Sequence, residues 1–252
     1  MIKIEGLTKT YDDFIAVDGL SLEVADGQIL GLVGPNGAGK TTTMRCLCGI
    51  IPPTSGTLLI DGYDLALDPV EAKRRLGFVP AEVRLFDHLT VADHLRFFRR
   101  LYAVGKDDPE TDAQLLNDME LTEKKHQLPG ALSRGMKQKL MIACALVHQP
   151  HVLIMDEPFT GLDPHAIRRT RTLLKNYADA GGVVLISSHL LGMVEDFVSR
   201  IMIIQHGQKI AEGTLAELHK GLPSMREDAD LEEIFLSITS GTVSPAPPEH
   251  AP

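Results

Sequence analysis

The sequence predicts an α/β fold: a layered core of mainly parallel strands into which an α-helical subdomain is inserted. Three observations carry this expectation. Short apolar runs of strand length alternate with segments of helical period along most of the chain. A glycine-rich loop, Gly34 to Thr41, follows one such run and opens a helix-period segment. Between about Phe86 and Gln149 the strand-like runs disappear while helical spacing continues.

The strand-like runs are Gln28 to Val33, Thr57 to Ile60, Leu76 to Val79, Val152 to Met155, Val183 to Ser187 and Ile201 to Ile204, all expected in the layered core. After the glycine-rich loop, Met44, Leu47, Cys48 and Ile51 fall at i, i+3, i+4 and i+7, the apolar stripe of a helix. In the inserted segment Leu95, Phe98 and Leu101, then Leu115, Met119 and Leu121, then Leu140, Ala143, Cys144 and Val147 recur at helical spacing. Ile201 to Ala211 carries His206-Gly207 between two apolar runs, which predicts a hairpin. Asp230 to Glu233 offers a capping box for a short helix through Ile238. The final SPAPPEHAP is too proline-rich and apolar-poor to fold and reads as a disordered tail. The chain thus divides into a discontinuous core (1–85 and 150–220), a helical subdomain (86–149), a C-terminal helical extension (221–240) and the tail (241–252).

Composition narrows the class. With 252 residues, 44% hydrophobic and 23% charged, the chain has the balance of a globular protein with a substantial core. A formal net charge of −9 argues against a surface built to neutralise nucleic-acid phosphates, so no nucleic-acid partner is expected. Apolar runs such as Ile29 to Val33 fall far short of the roughly 20 residues that span a bilayer, so a membrane role would act through a partner. The start, MIKIEGLTKTY, lacks the features of a secretory signal, which points to the cytoplasm. Cys46, Cys48 and Cys144 are odd in number and form no CxxC pair, so they read as buried structural thiols.

Three motifs carry chemistry. Gly34, Pro35, Asn36, Gly37, Ala38, Gly39, Lys40, Thr41 and Thr42 form a phosphate-binding loop for ATP: amides must approach polyphosphate closely, so three positions lack side chains. Lys40 neutralises β- and γ-phosphate charge, and the Thr41 hydroxyl is offered to Mg²⁺. In the run from His151 to Pro158 an apolar strand ends in two acids: Asp156 to hold Mg²⁺ through water, Glu157 to polarise the attacking water. Leu132 to Met136 precedes a helical run with Ser133 at its N-cap, so hydroxyl, Gly135 amide and helix dipole form a second anion site. Alone, this last segment reads as no more than a capped helix.

In their order, these motifs resemble, from Leu7 to His189, the nucleotide-binding subunit of ATP-binding-cassette (ABC) transporters. The resemblance implies a P-loop NTPase (RecA-like) core with an N-terminal antiparallel β region, and an ATPase using ATP and Mg²⁺. It matches Tyr11 to the residue on which adenine stacks; a buried strand tyrosine is the alternative. It matches Ser133 and Gly135 to the signature loop that contacts the γ-phosphate of the other subunit, and Asp163 to the turn linking the two sites. Asp163 also reads as an N-cap followed by Pro164, and both roles can hold. His189 matches the histidine that contacts the γ-phosphate and positions Glu157. The implied assembly is a head-to-tail pair, with a second copy or a similar subunit, docked on a separate transmembrane permease at the cytoplasmic face of the membrane. LSRGMKQKL and the ending LEEIFLSIT resemble the bacterial branch that exports drugs, polysaccharides and lipids.

One position departs from the family. Where most members carry a glutamine after the strand matching Leu76 to Val79, this chain has Ala81, which cannot ligate; Glu82 is the nearest oxygen donor. Two other classes share the ATP chemistry. Soluble ABC proteins acting on ribosomes or DNA usually carry two cassettes or a long coiled-coil insertion, and a P-loop kinase or GTPase would leave Ser133 and His189 unexplained.

Overall fold

The computed structural model describes residues 1–102, 108–189, 191–221 and 229–239. The chain opens with a hairpin of two long strands, β1 (Ile2–Tyr11) and β2 (Phe14–Val24), then enters the core on β3 (Ile29–Val33) and turns through the glycine-rich loop into helix α1 (Lys40–Leu47). Next come β4 (Ser55–Ile60), the short β5 (Tyr63–Asp64), α2 (Pro69–Arg74) and β6 (Leu76–Val79). Three helices follow, α3 (Val91–Leu101), α4 (Pro109–Asp118) and α5 (Arg134–Leu146), before the chain returns on β7 (Val152–Asp156), α6 (Pro164–Asp179) and β8 (Val183–Ser188). The β9 (Arg200–Gln205) and β10 (Gln208–Gly213) hairpin and helices α7 (Leu215–Lys220) and α8 (Leu231–Thr239) complete it.

Two sheets result. The six-stranded sheet, ordered β10-β9-β3-β8-β7-β6, pairs in parallel except for its terminal hairpin. Its β3, β7 and β8 are buried at every position, which is why they read as unbroken apolar runs. The four-stranded sheet, ordered β2-β1-β4-β5, is antiparallel. The run Thr57 to Ile60 belongs to this antiparallel sheet and not to the parallel one: in β4, Leu58 and Ile60 are buried while Thr57 and Leu59 are half-buried. That two-residue period marks a strand covered on one face only, pairing Ile60 with Ile2 and Leu58 with Ile4. Strands β1 and β2 were absent from the list of apolar runs because bulges interrupt their alternation.

The parallel sheet separates two apolar cores. Leu30 and Leu32 face the core shared with the antiparallel sheet and α1, whereas Ile29 and Val33 face one shared with α3, α5 and α6. Leu95, Leu140 and Cys144 are buried in the latter, but Leu101 is 63% exposed and does not belong to the stripe assigned to it. His206 and Gly207 both adopt positive φ (49° and 78°), the type I′ geometry that the hairpin expectation required. Asp230 Oδ1 accepts the Glu233 amide at 2.8 Å and so caps α8. The proline-rich tail lies outside the described residues. All three cysteines are buried, and burial pushes the Cys46 thiol up to about 11 and raises those of Cys48 and Cys144 well above the usual thiol range. Among the described residues no helix is long and apolar enough to cross a membrane.

Candidate nucleotide-binding site

The glycine-rich loop leaves the C-terminal end of β3, between β9 and β8, and is packed too tightly for a side chain at Gly34 and Gly39. A Cβ on Gly34 would sit 2.3 Å from the Ile204 carbonyl oxygen. Gly39, at φ 103°, would place one 2.6 Å from the Ala16 carbonyl oxygen. The loop is also tied from outside: the Gly207 amide donates to Ala38 O at 3.0 Å, and the Asp18 amide to Gly207 O at 2.9 Å. Lys40 begins α1 and turns back, its Nζ donating to Gly34 O at 2.6 Å and Pro35 O at 3.1 Å. Burial lowers its basicity, opposed by the carboxylates of Glu157 and Asp156. A buried cation thus lies against the loop's carbonyls at a helix N-terminus, a setting suited to phosphate.

Strand β7 delivers the two acids. Asp156, 1% exposed, pairs in register with Ser187 of β8 and accepts that serine's hydroxyl proton at 2.5 Å. The Glu157 amide donates to the same Ser187 Oγ at 3.0 Å. Glu157 itself adopts φ 50°, a left-handed conformation rare for a side-chain-bearing residue. Its carboxylate meets His189: Nδ1 lies 2.8 Å from Oε2, and the His189 amide donates to the same oxygen at 3.3 Å. With a carboxylate as partner, Nδ1 carries the proton.

A cavity of about 440 Å³ is walled by Tyr11 and Phe14, floored by the phosphate loop from Asn36 to Thr42 and closed by Glu157, Thr160 and His189, while Asp156 and Ser187 are buried and do not line it. Tyr11 is 43% exposed, with Lys9 Nζ 4.9 Å from its ring centroid, so it is not a buried strand tyrosine. Ala81 stands in the same wall, whereas Glu82 is outside it and pairs with Arg84 at 3.0 Å.

Ser133, Gly135 and Asp163 do not line this cavity. Ser133 is exposed at the N-cap of α5, its Oγ accepting the Met136 amide at 3.2 Å. Gly135 abuts Gly161, whose carbonyl oxygen lies 2.8 Å from where a Cβ would be. Asp163 caps α6 through the Ala166 amide at 2.9 Å, a bond that holds its carboxyl below the usual range, and Pro164 is the first helical residue. Buried Gln138 of α5 donates to the carbonyl of Pro158 at 3.0 Å and so ties that helix to the residue after Glu157. Ser187 and Gln138 escaped the sequence reading. Ser187 is a polar side chain at the end of an apolar buried strand, whereas Gln138 stands between Lys137 and Lys139 and carries no signal of its burial.

Comparison with known proteins places these features in a family. The family described as "ABC transporter" matches residues 17–160. Over 211 residues, 82% of this chain, it is 39% identical to ATP-binding cassette sub-family A member 2 of Homo sapiens, of whose length it spans 9%. It is 38% identical over 219 residues to Nod factor export ATP-binding protein I of Cupriavidus metallidurans, covering 86% of this chain and 72% of that one. Among solved structures, an ATP binding subunit of an ABC transporter superposes with a TM-score of 0.88 at 31% identity, covering 95% of this chain and 99% of that one. A dimeric ATP-binding cassette in a post-hydrolysis state, bound to ADP and Pi, gives 0.78 at 26% identity, covering 85% and 99%. With the phosphate loop, Glu157 and His189 in one cavity and Asp156 buried directly behind Glu157, the chain belongs to the ABC transporter family, as an ATP-binding, ATP-hydrolysing cassette.

Proposed function

We propose that the chain is the motor subunit of an exporter, working as a head-to-tail pair around two ATP and driving a separate permease at the cytoplasmic face of the membrane. The observation that carries this reading is the division of the site: Tyr11, the phosphate loop, Glu157 and His189 share one cavity, while Ser133 and Gly135 stand exposed or half-exposed elsewhere. A second chain would bring its Ser133 hydroxyl and Gly135 amide to the γ-phosphate, and Asp163 would link the two sites. A solved relative described as a dimeric cassette, and another named for export, support the same assembly and direction.

Within one site, Tyr11 stacks adenine, the loop amides and Lys40 bind the phosphates, and Glu157 orients and polarises the attacking water while His189 holds its carboxylate. The hydroxyl of Thr41 and the carboxylate of Asp156 are hard oxygen donors and fit Mg²⁺, which when bound offsets phosphate charge. Closure of the pair on ATP and its reopening after phosphate loss would pull on the permease.

The test is Glu157→Gln in the purified chain. It is expected to abolish hydrolysis and to trap an ATP-bound dimer on size-exclusion chromatography; a variant that hydrolyses at the parental rate and stays monomeric overturns the mechanism. Affinity capture from membranes is expected to recover a polytopic chain, and recovery of ribosomes or DNA instead would overturn the transport reading.

A further inference from the structure

We infer that Ser187 is a positioning residue of the hydrolytic site, whose single hydroxyl holds Asp156 and Glu157 in fixed relation to each other. The inference rests on the proposed role of Glu157. Ser187 is fully buried (0% exposed) near the end of β8, where the sheet register sets it beside Asp156. A hydroxyl has one proton to donate and lone pairs to accept with. Here the proton goes to Asp156 Oδ1 at 2.5 Å, which leaves the lone pairs for the Glu157 amide at 3.0 Å. The two bonds are therefore mutually ordered: one hydroxyl orientation serves both acids.

The second bond bears on chemistry because of the backbone it fixes. Glu157 turns left-handed at φ 50°, and such a conformation persists only where surrounding contacts over-determine it. The tie to Ser187 acts at the amide of that same residue, and the turn it holds sends the carboxylate to His189 Nδ1, 2.8 Å away. An apolar residue, such as those that fill neighbouring positions of β8, would strand the Glu157 amide and leave one oxygen of Asp156 without this donor.

The experiment compares Ser187→Ala, Ser187→Thr and Glu157→Gln in the full-length chain. Ser187→Ala is expected to lower kcat for ATP hydrolysis about 10- to 100-fold while KM for ATP stays within about twofold, the loss characteristic of a hydrogen-bonding partner behind a reacting group. In the nucleotide-free protein the same change should speed amide hydrogen exchange at Glu157, a readout independent of turnover. Ser187→Thr keeps the hydroxyl and should restore both. Parental kcat and exchange in Ser187→Ala would overturn the inference. So would a Ser187→Thr as slow as Ser187→Ala when both melt with the parent, since packing would then explain the loss. If Ser187→Ala fails to fold, Ser187→Cys, close in volume but a weak donor, takes its place with the same expectations. Glu157→Gln separates the two levels: its retained hydrolysis would sink the role of Glu157, whereas its inactivity beside a normal Ser187→Ala would sink the role of Ser187 alone.

Discussion

Gly39 shows how little freedom single positions near the cavity have. Its φ of 103° and the 2.6 Å approach of Ala16 O leave no room for a methyl group, so Gly39→Ala should cost about 2 kcal/mol of stability by strain and overpacking. Loss of fluorescent-ATP binding, alongside a lowered melting temperature, checks this. His148 supplies a pH-dependent counterpart. It is 5% exposed, its Nε2–H donates to Leu76 O at 3.1 Å, and its ring stacks on Tyr102 with centroids 3.6 Å apart. Burial pushes its imidazole down to about 4. The folded value lies below the unfolded one, so the folded state resists this proton: the stabilisation is complete above about pH 6.5 and is lost as pH falls toward 4, by roughly 2 kcal/mol at pH 4.5. Urea unfolding at a series of pH values should show His148→Phe with a correspondingly shallower acid slope. Nothing in the sequence marked His148 for burial, because its environment is made by Leu76 and Tyr102, distant along the chain. Gly34, Gly37 and Gly39 were legible because the spacing of a phosphate loop is local.

Elements were legible where one segment decides its own fate and obscure where a neighbour decides. The runs that became β3, β7, β8 and β9 are buried on both faces, so their apolar content alone reveals them. For β4 the deciding factor was its partner β1, and the run Thr57 to Ile60 by itself did not say which of the two sheets it joins. Helix α5 carries two requirements at its first turn. Ser133 caps it by accepting the Met136 amide, and the proposed mechanism uses the same hydroxyl on the other subunit's nucleotide. The two can be separated. Ser133→Ala should lose about 1 kcal/mol of stability together with ATP turnover, while Ser133→Asn, also a good cap, should recover the stability and not the turnover. Thermal melts and a phosphate-release assay on both variants read the two effects independently.

At the scale of the molecule, the proposed division of the site between two chains would make turnover depend on encounter. In the purified chain, specific ATPase activity should rise with protein concentration; a constant value across a wide dilution range would mean that each chain works alone. The sequence could not express this, since Ser133 and the phosphate loop stand in fixed order whether they serve one nucleotide or two. It also hid how the phosphate loop is held. Ala38 and Gly39 are braced by Ala16 of β2 and by the His206-Gly207 turn, three parts of the chain joined at one point. A ribosome releases the loop early and the turn late, and at typical elongation rates the gap is on the order of ten seconds. During that interval a nascent chain owns every residue needed to grip phosphate, but lacks the late turn that braces their shape.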